Sequence, residues 1–464
     1  TFKDISVPPT LVSFALDTVD VTKTISPELK EVGSSLVWLR LNKDQDQLPD
    51  FEELDRNYRT VYDLINQGKV LAAHSVRDGG LAEAVTKMCF GNLIGVKFTA
   101  KMETEQLFAP EYGTLVLEIP AGEDPAQLLI GLNHRILGIT QGEPEIEFEG
   151  TVIKLSEALE KWEAPLEKIF PTKVEVVSGA PQLYNHERKQ PLKAKAGLGQ
   201  PRIFLPVFPG TNCEYDTKKT FEKAGGLVET LVFRNLTAND IEASLEQMVA
   251  KINNSQIIMI PGGFSAGDEP DGSGKFIATA FRNPRVKEAV TKLLQERDGL
   301  ILGICNGFQA LIKLGLVPYG EIREITAASP TLTYNNIGRH VSCLVRTRVA
   351  SNLSPWLSKV KVGDVHTIPV SHGEGRFVAD REVIAELAKN GQIATQYVDL
   401  AGNPSYDMRY NPNGSVDAIE GITSLDGRVL GKMGHSERIG SNLYQNVPGE
   451  KDQLIFEAGV EYFK

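Results

Sequence analysis

Hydrophobic positions fall into two textures along the chain. From residue 1 to about 155 they form short runs broken by helical spacing. Val12–Leu16, Ser35–Leu39 and Thr114–Ile119 read as strands from their β-branched content and bounding turn residues. Phe51, Leu54, Tyr58, Val61, Tyr62 and Ile65 recur at helical intervals over 51–67. Leu155, Leu159, Trp162, Leu166 and Ile169 then make an apolar stripe at intervals of 4, 3, 4 and 3, which Pro165 is expected to bend or interrupt. The pattern predicts an α/β or α+β region.

A polar, basic and aperiodic stretch over 186–201 is expected to be a solvated linker. Beyond it the alternation becomes regular. Apolar runs at 203–208, 227–233, 256–260 and 299–304 are separated by helical patterns at 215–224, 239–252 and 284–297. Such runs between helices predict an α/β fold with a doubly wound, mostly parallel sheet covered on both faces. The expected organisation is a first α/β region over 1–170, a linker over 171–200 and the doubly wound domain over 201–464. Ligands of such sheets lie beyond the carboxyl ends of the strands, so the loops after each run hold the candidate chemistry.

Composition narrows the partners. The chain has 464 residues, a length that suits two or three cores rather than one. Its 49 Lys and Arg against 60 Asp and Glu leave a formal charge of −11, which argues against nucleic-acid binding and against an anionic membrane face. No apolar stretch approaches membrane-spanning length, and the first residues carry no signal pattern. Cys89, Cys213, Cys305 and Cys343 show no paired spacing, as expected of a reducing, cytoplasmic setting. The chain opens without Met on the approach to a strand pattern, so a piece of a longer polypeptide is expected.

The sharpest chemical signal is Gly303-Ile304-Cys305-Asn306-Gly307, which joins the 299–304 run to a helical pattern at 308–312. G-x-C-x-G between a strand and a helix is the cysteine form of a nucleophile elbow, in which small neighbours let a strained turn approach the adjoining backbone. The helix N-terminus would direct N–H groups at the thiol and favour thiolate. A cysteine without such flanks is more often a small buried hydrophobe, and Cys89, Cys213 and Cys343 are read that way.

A thiolate nucleophile needs a base, and the base needs an orienting group. A hairpin pattern over 416–433 runs into Gly434-His435-Ser436-Glu437-Arg438. Alternate residues of extended chain share a face, so Glu437 is placed to hold the imidazole of His435. The backbone N–H of Asn306 is the expected first donor to a developing oxyanion. The Pro261-Gly262-Gly263-Phe264-Ser265 loop is a candidate for the second, with a plain turn as the equal alternative. The Gly267–Lys275 segment lacks Walker spacing, and His74, His186, His340, His366 and His372 lack zinc-ligand spacing.

Gly303–Gln309, His435-Ser436-Glu437 and Pro261–Phe264 together resemble class-I (triad) glutamine amidotransferases. More narrowly, Pro209–Glu214, Ser371–Phe377 and Gly434–Arg438 resemble the glutaminase of the formylglycinamide ribonucleotide amidotransferase family of purine biosynthesis, over residues 201–464. Upstream, Pro8–Ala15, His74–Leu81 and Leu107–Gly113 resemble the end of that family's synthetase region, a fold shared with aminoimidazole ribonucleotide synthetase. The resemblance implies attack on glutamine by Cys305, proton transfer by His435 and orientation by Glu437. It also implies Gln309 in the glutamine pocket and a segment from His372 to Arg376 near the junction with the synthetase.

By the same resemblance, ammonia would pass to formylglycinamide ribonucleotide activated by ATP. ATP/ADP and Mg²⁺ would sit at a site that includes Asp78, in an enzyme whose first synthetase half is missing from these residues. The glutaminase step itself would need no cofactor. Gly434 departs from the family's common Pro, and the Gly267–Lys275 loop is longer and more acidic than expected. The alternatives are a cysteine peptidase on a related fold and a non-catalytic scaffold or nucleotide-binding regulator. His-x-Glu and Gln309 fit glutamine better, and no reactive group of the triad is missing.

Overall fold

The computed structural model describes residues 6, 8–174, 179–195, 197–267 and 273–464. The chain divides into two units, Thr1–Ile169 and Phe170–Lys464. Residues 268–272, in the middle of the acidic loop singled out above, lie outside the described residues.

In the first unit seven strands lie side by side in the order Ala72–Ser75, Leu115–Ile119, Ser35–Leu39, His134–Gln141, Gly95–Phe98, Glu145–Phe148 and Thr151–Lys154. Alternation along the central strand builds two cores. Val37 and Leu39 pack with Val61 and Leu64 of the helix Phe51–Asn66, while Leu36 and Trp38 pack with Leu81, Ala84, Val85 and Met88 of the helix Gly80–Phe90. Asp50 starts the first of these helices by accepting from the N–H groups of Glu52 and Glu53.

Pro165 ends the helix Leu155–Glu163, and a single 3-10 turn Ala164–Leu166 follows. The apolar stripe there buries Leu155 but leaves Trp162, Leu166 and Ile169 exposed. Val12–Leu16, expected as a strand, pairs with no strand among the described residues, and Leu11, Phe14 and Leu16 are at least 90% exposed. β-branched content favours extended chain, but a strand is held by its neighbour's hydrogen bonds.

The second unit is built on a nine-stranded sheet. Labelled from the start of this unit, β1 (Arg202–Val207), β2 (Leu227–Val232), β3 (Ile257–Ile260) and β4 (Leu300–Ile304) alternate with α1 (Glu214–Lys223), α2 (Ala238–Asn254), α3 (Lys275–Arg282) and α4 (Pro284–Glu296). After β4 come α5 (Asn306–Leu314), β5 (Val341–Val349), β6 (Val365–His372), β7 (Ile393–Tyr397), β8 (Ile419–Thr423) and β9 (Val429–Lys432). The sheet order is β6-β5-β7-β8-β9-β4-β3-β1-β2.

From β2 through β9 neighbours run parallel, and every residue of β3 and β4 is buried, which is why those strands read as unbroken apolar runs. From β9 through β6 the pairing is antiparallel. The sheet is therefore mixed, and its antiparallel half comes from residues 341–423.

Much of the expected 171–200 linker lies against the second unit instead of forming a free tether. Tyr184 donates its N–H to Gln396 Oε1 at 3.0 Å, His186 to the Ala350 carbonyl at 2.9 Å and Ala194 to the Tyr462 carbonyl at 3.0 Å. Lack of periodicity there marks irregular backbone whose polar groups find partners on a neighbouring surface. Among the described residues no helix is long and apolar enough to cross a membrane.

Candidate active site

Cys305 stands where β4 turns into α5, with φ 53° and ψ −108°, a left-handed backbone that an L residue adopts only under constraint. The constraint is close approach. A Cβ on Gly303 would lie 2.6 Å from Leu311 Cδ1 and 2.7 Å from the Gly307 backbone, and one on Gly307 would run into the Ile260 carbonyl of β3. The two flanking glycines are thus needed where strand, turn and helix meet. Cys305 is buried, with 5% of the residue exposed; its N–H donates to the Lys432 carbonyl of β9 at 2.8 Å, and its thiol donates to the Ser371 carbonyl at 3.7 Å.

His435 and Glu437 follow the end of β9. Nδ1 of His435 is 2.6 Å from Glu437 Oε1, and both side chains are buried. Burial disfavours the imidazolium, but the Glu437 carboxylate and the Cys305 sulfur outweigh it and hold His435 well above its usual range. Burial likewise works against the Glu437 carboxylate, and the facing His435 reverses this and keeps it below the usual range. With Nδ1 occupied by Glu437, Nε2 is the nitrogen left for proton exchange; it is buried and has no hydrogen-bond partner among the described residues. A Cβ placed on Gly262 would sit 2.7 Å from His435 Cε1 and 3.5 Å from Cys305 Cβ, so the imidazole and the nucleophile border the same small space.

The expected donors have distinct fates. Asn306 opens α5, where the first N–H groups have no intrahelical partner. Its side chain accepts from the Ser265 N–H at 3.3 Å and donates to Gln309 Oε1 at 2.9 Å. Gly263, at φ 152°, bridges to Thr211, and the Phe264 N–H donates to the Gly210 carbonyl at 2.9 Å. Phe264 thus has its N–H engaged, which leaves Gly263 as the candidate donor of that loop. Gln309 has its amide engaged within the protein, donating to the Glu374 carbonyl at 2.6 Å.

His372 ends β6, fully enclosed, with Nδ1 3.1 Å from Asn335 Oδ1. Burial, and then the neighbouring His435, push it down to about 3, so it is neutral. Gly434 donates its N–H to Glu420 Oε1 at 2.6 Å, a bond that Pro at this position would lack.

Cys213, read from sequence as structural, is part of this constellation. Its Sγ is 3.8 Å from His435 Nδ1 and accepts from Arg438 Nη2 at 3.2 Å. The available signal was position: Pro209–Cys213 is the loop between β1 and α1, at the same end of the parallel strands as the elbow. Among the described residues, Cys213, His435 and Glu437 form the one group of three ligand-bearing side chains within 4.8 Å of one another. Asp78 is not in it. That residue lies exposed in the first unit, just before Gly80–Phe90, and accepts a hydrogen bond from the Tyr112 hydroxyl.

A family profile described as a CobB/CobQ-like glutamine amidotransferase domain matches residues 200–463. The PurQ subunit of phosphoribosylformylglycinamidine synthase from Methanococcus maripaludis strain S2 is 34% identical over 283 residues, covering 57% of this chain and 97% of that protein. Phosphoribosylformylglycinamidine synthase of Drosophila melanogaster is 27% identical over 490 residues, covering 92% of this chain. The chain spans 35% of the length of that relative. The solved structure of PurLQS from Thermotoga maritima is 26% identical, with a TM-score of 0.41, and covers 57% of this chain and 100% of the matched one. With its match across 200–463, the chain belongs to the CobB/CobQ-like glutamine amidotransferase family, together with the PurQ subunits of phosphoribosylformylglycinamidine synthases.

Proposed function

We propose that the second unit hydrolyses glutamine to glutamate and ammonia, as the glutaminase of a phosphoribosylformylglycinamidine synthase. The observation that carries the reading is the strained, glycine-flanked Cys305 beside a buried His435–Glu437 pair. The Cys305 thiolate attacks the side-chain amide carbon of glutamine, and the N–H groups of Asn306 and Gly263 receive the oxyanion. His435 passes a proton to the departing ammonia, leaving a glutamyl thioester. It then takes a proton from water as the water attacks, and glutamate leaves with the thiol restored. Glu437 fixes the tautomer and orientation of the ring throughout. Gln309 acts in this scheme by holding Asn306.

In the whole enzyme the ammonia goes to formylglycinamide ribonucleotide, whose amide oxygen ATP activates, and an amidine forms. ATP and Mg²⁺ belong to that step. The described residues of the first unit offer Asp78 with its carboxylate bonded to Tyr112, whereas Mg²⁺ is held by one or two carboxylates together with phosphates. Among the described residues Asp78 belongs to no group of three side chains that could hold a metal ion together. Free cysteines and the −11 charge suit a cytoplasmic enzyme with a synthetase half as partner and neither nucleic acid nor membrane as ligand.

The test is glutamate release from glutamine by the full chain, by Cys305→Ala and by His435→Ala. Removing the nucleophile is expected to cost on the order of 10⁴ to 10⁶ in rate. Equal release by wild type and Cys305→Ala overturns the reading.

A further inference from the structure

Beneath the His435 loop lies a buried ion pair that the chemistry above does not use. Lys432 and Glu420, with side chains 1% and 0% exposed, are 3.4 Å apart. Lys432 Nζ donates to the Gly434 carbonyl at 2.8 Å and to Ser436 Oγ at 2.9 Å. Glu420 Oε1 accepts the Gly434 N–H, and Oε2 accepts from the Thr395 hydroxyl on β7. Ser436 Oγ in turn donates to Gln453, whose amide reaches Thr347 on β5. The residues on both sides of His435 are therefore gripped by one charged pair. The same Lys432, through its carbonyl, receives the N–H of Cys305.

We propose that Lys432 and Glu420 are positioning residues that fix the His435 loop against the Cys305 elbow. An ion pair buried this completely is a poor device for stability alone, because desolvation cancels much of its attraction and an apolar pair of similar volume serves as well. What an apolar pair lacks is donors and acceptors at fixed points. Here those points are the Gly434 carbonyl, the Gly434 N–H and the Ser436 hydroxyl, while the main chain of the same strand pins the nucleophile. Lys432 thus ties the two halves of the reacting pair to one residue of β9.

The inference rests on the glutaminase reading, so its test carries an arm that does not require turnover. Lys432→Met, Ser436→Ala and the double variant Lys432→Met/Glu420→Gln are compared with wild type for kcat and KM of glutamate release. The same proteins are alkylated with iodoacetamide across pH, and the rate at Cys305 is followed by peptide mapping. The titratable and charged groups around His435 are Glu437 on its own loop, Cys305 from the elbow, Cys213 with Arg438 at its sulfur, His372 at the end of β6, and Lys432 through Glu437. These groups stay in place in Ser436→Ala.

The double variant leaves no unpaired buried charge, so it separates lost positioning from lost folding. Expected are a fall in kcat of about 10- to 100-fold for Lys432→Met and the double variant with KM within about 3-fold. The alkylation rate of Cys305 falls by about 10-fold as the imidazole is released from its place beside the thiol. Ser436→Ala moves both readouts in the same direction by less. Wild-type kcat and an unchanged alkylation rate in the folded double variant overturn the proposal. Glutamate release that survives Cys305→Ala sinks the glutaminase reading instead and leaves the alkylation arm to decide the role of the pair.

Discussion

The imidazole Nδ1 of His435 and the carboxylate Oε1 of Glu437 stand 2.6 Å apart, and both groups are enclosed by protein. Each holds the other in its charged form against the cost of burial. The raised His435 value contributes stability that is complete below its ordinary 6.5 and is lost as pH rises through the folded value. The lowered Glu437 value contributes stability present above its ordinary 4.5 and lost as pH falls through the folded value. Replacing Glu437 with Gln removes the carboxylate but leaves the burial. The His435 titration, followed by NMR of the ring protons, is expected to move to lower pH, and glutamate release to fall about 10²- to 10⁴-fold. An unmoved titration contradicts the pairing.

His372 gives the opposite sign. Its folded value of about 3 against 6.5 means that the unfolded chain binds a proton the folded chain refuses. Stability is whole above 6.5 and declines as pH falls toward 3, by about 2 kcal/mol at pH 5 from this group alone. Urea unfolding at pH 7 and pH 5 checks it. The His372→Gln variant should lose about 2 kcal/mol less than wild type between the two pH values, and an equal loss sinks the assignment.

Two glycines separate folding from chemistry. Ala at 307 would drive its Cβ into the Ile260 carbonyl, a backbone group that cannot swing away. Gly307→Ala is expected to lower stability by about 1–3 kcal/mol or more in a thermal melt. Ala at 262 would meet side chains instead, His435 Cε1 at 2.7 Å and Cys213 Sγ at 3.2 Å. Gly262→Ala should keep most of its melting temperature while glutamate release falls about 10- to 100-fold through a displaced imidazole. Unchanged release would contradict the placement of that ring.

The elbow was legible because its chemistry is local: G-x-C-x-G records a steric demand within five residues, and the contacts at Gly303 and Gly307 are that demand in atoms. His435 and Glu437 were legible from their spacing of two, although a turn at Ser436–Glu437, closed by the Arg438 N–H on the His435 carbonyl, brings them together and not the extended chain expected. Cys213 was not, because it reaches His435 through the convergence of loops after β1, β3 and β9, which no local spacing records. Lys432 and Glu420 were hidden by type, since charged residues in strands ordinarily read as solvent-facing. The hairpin pattern over 416–433 is the antiparallel pair β8 and β9, whereas β5 to β7 escaped for want of the helix–strand alternation that marks the parallel half. The exposed Val12–Leu16 shows the converse, a strand composition without a neighbouring strand among the described residues.

Two thiols border His435, so the identity of the attacking sulfur is the point on which the chemistry turns. A single turnover with isotope-labelled glutamine, quenched in acid and mapped by peptide mass, reads it directly. The label is expected on the peptide carrying Cys305, with that on Cys213 at background. A label on Cys213, or glutamate release with neither cysteine labelled at any time point, contradicts it.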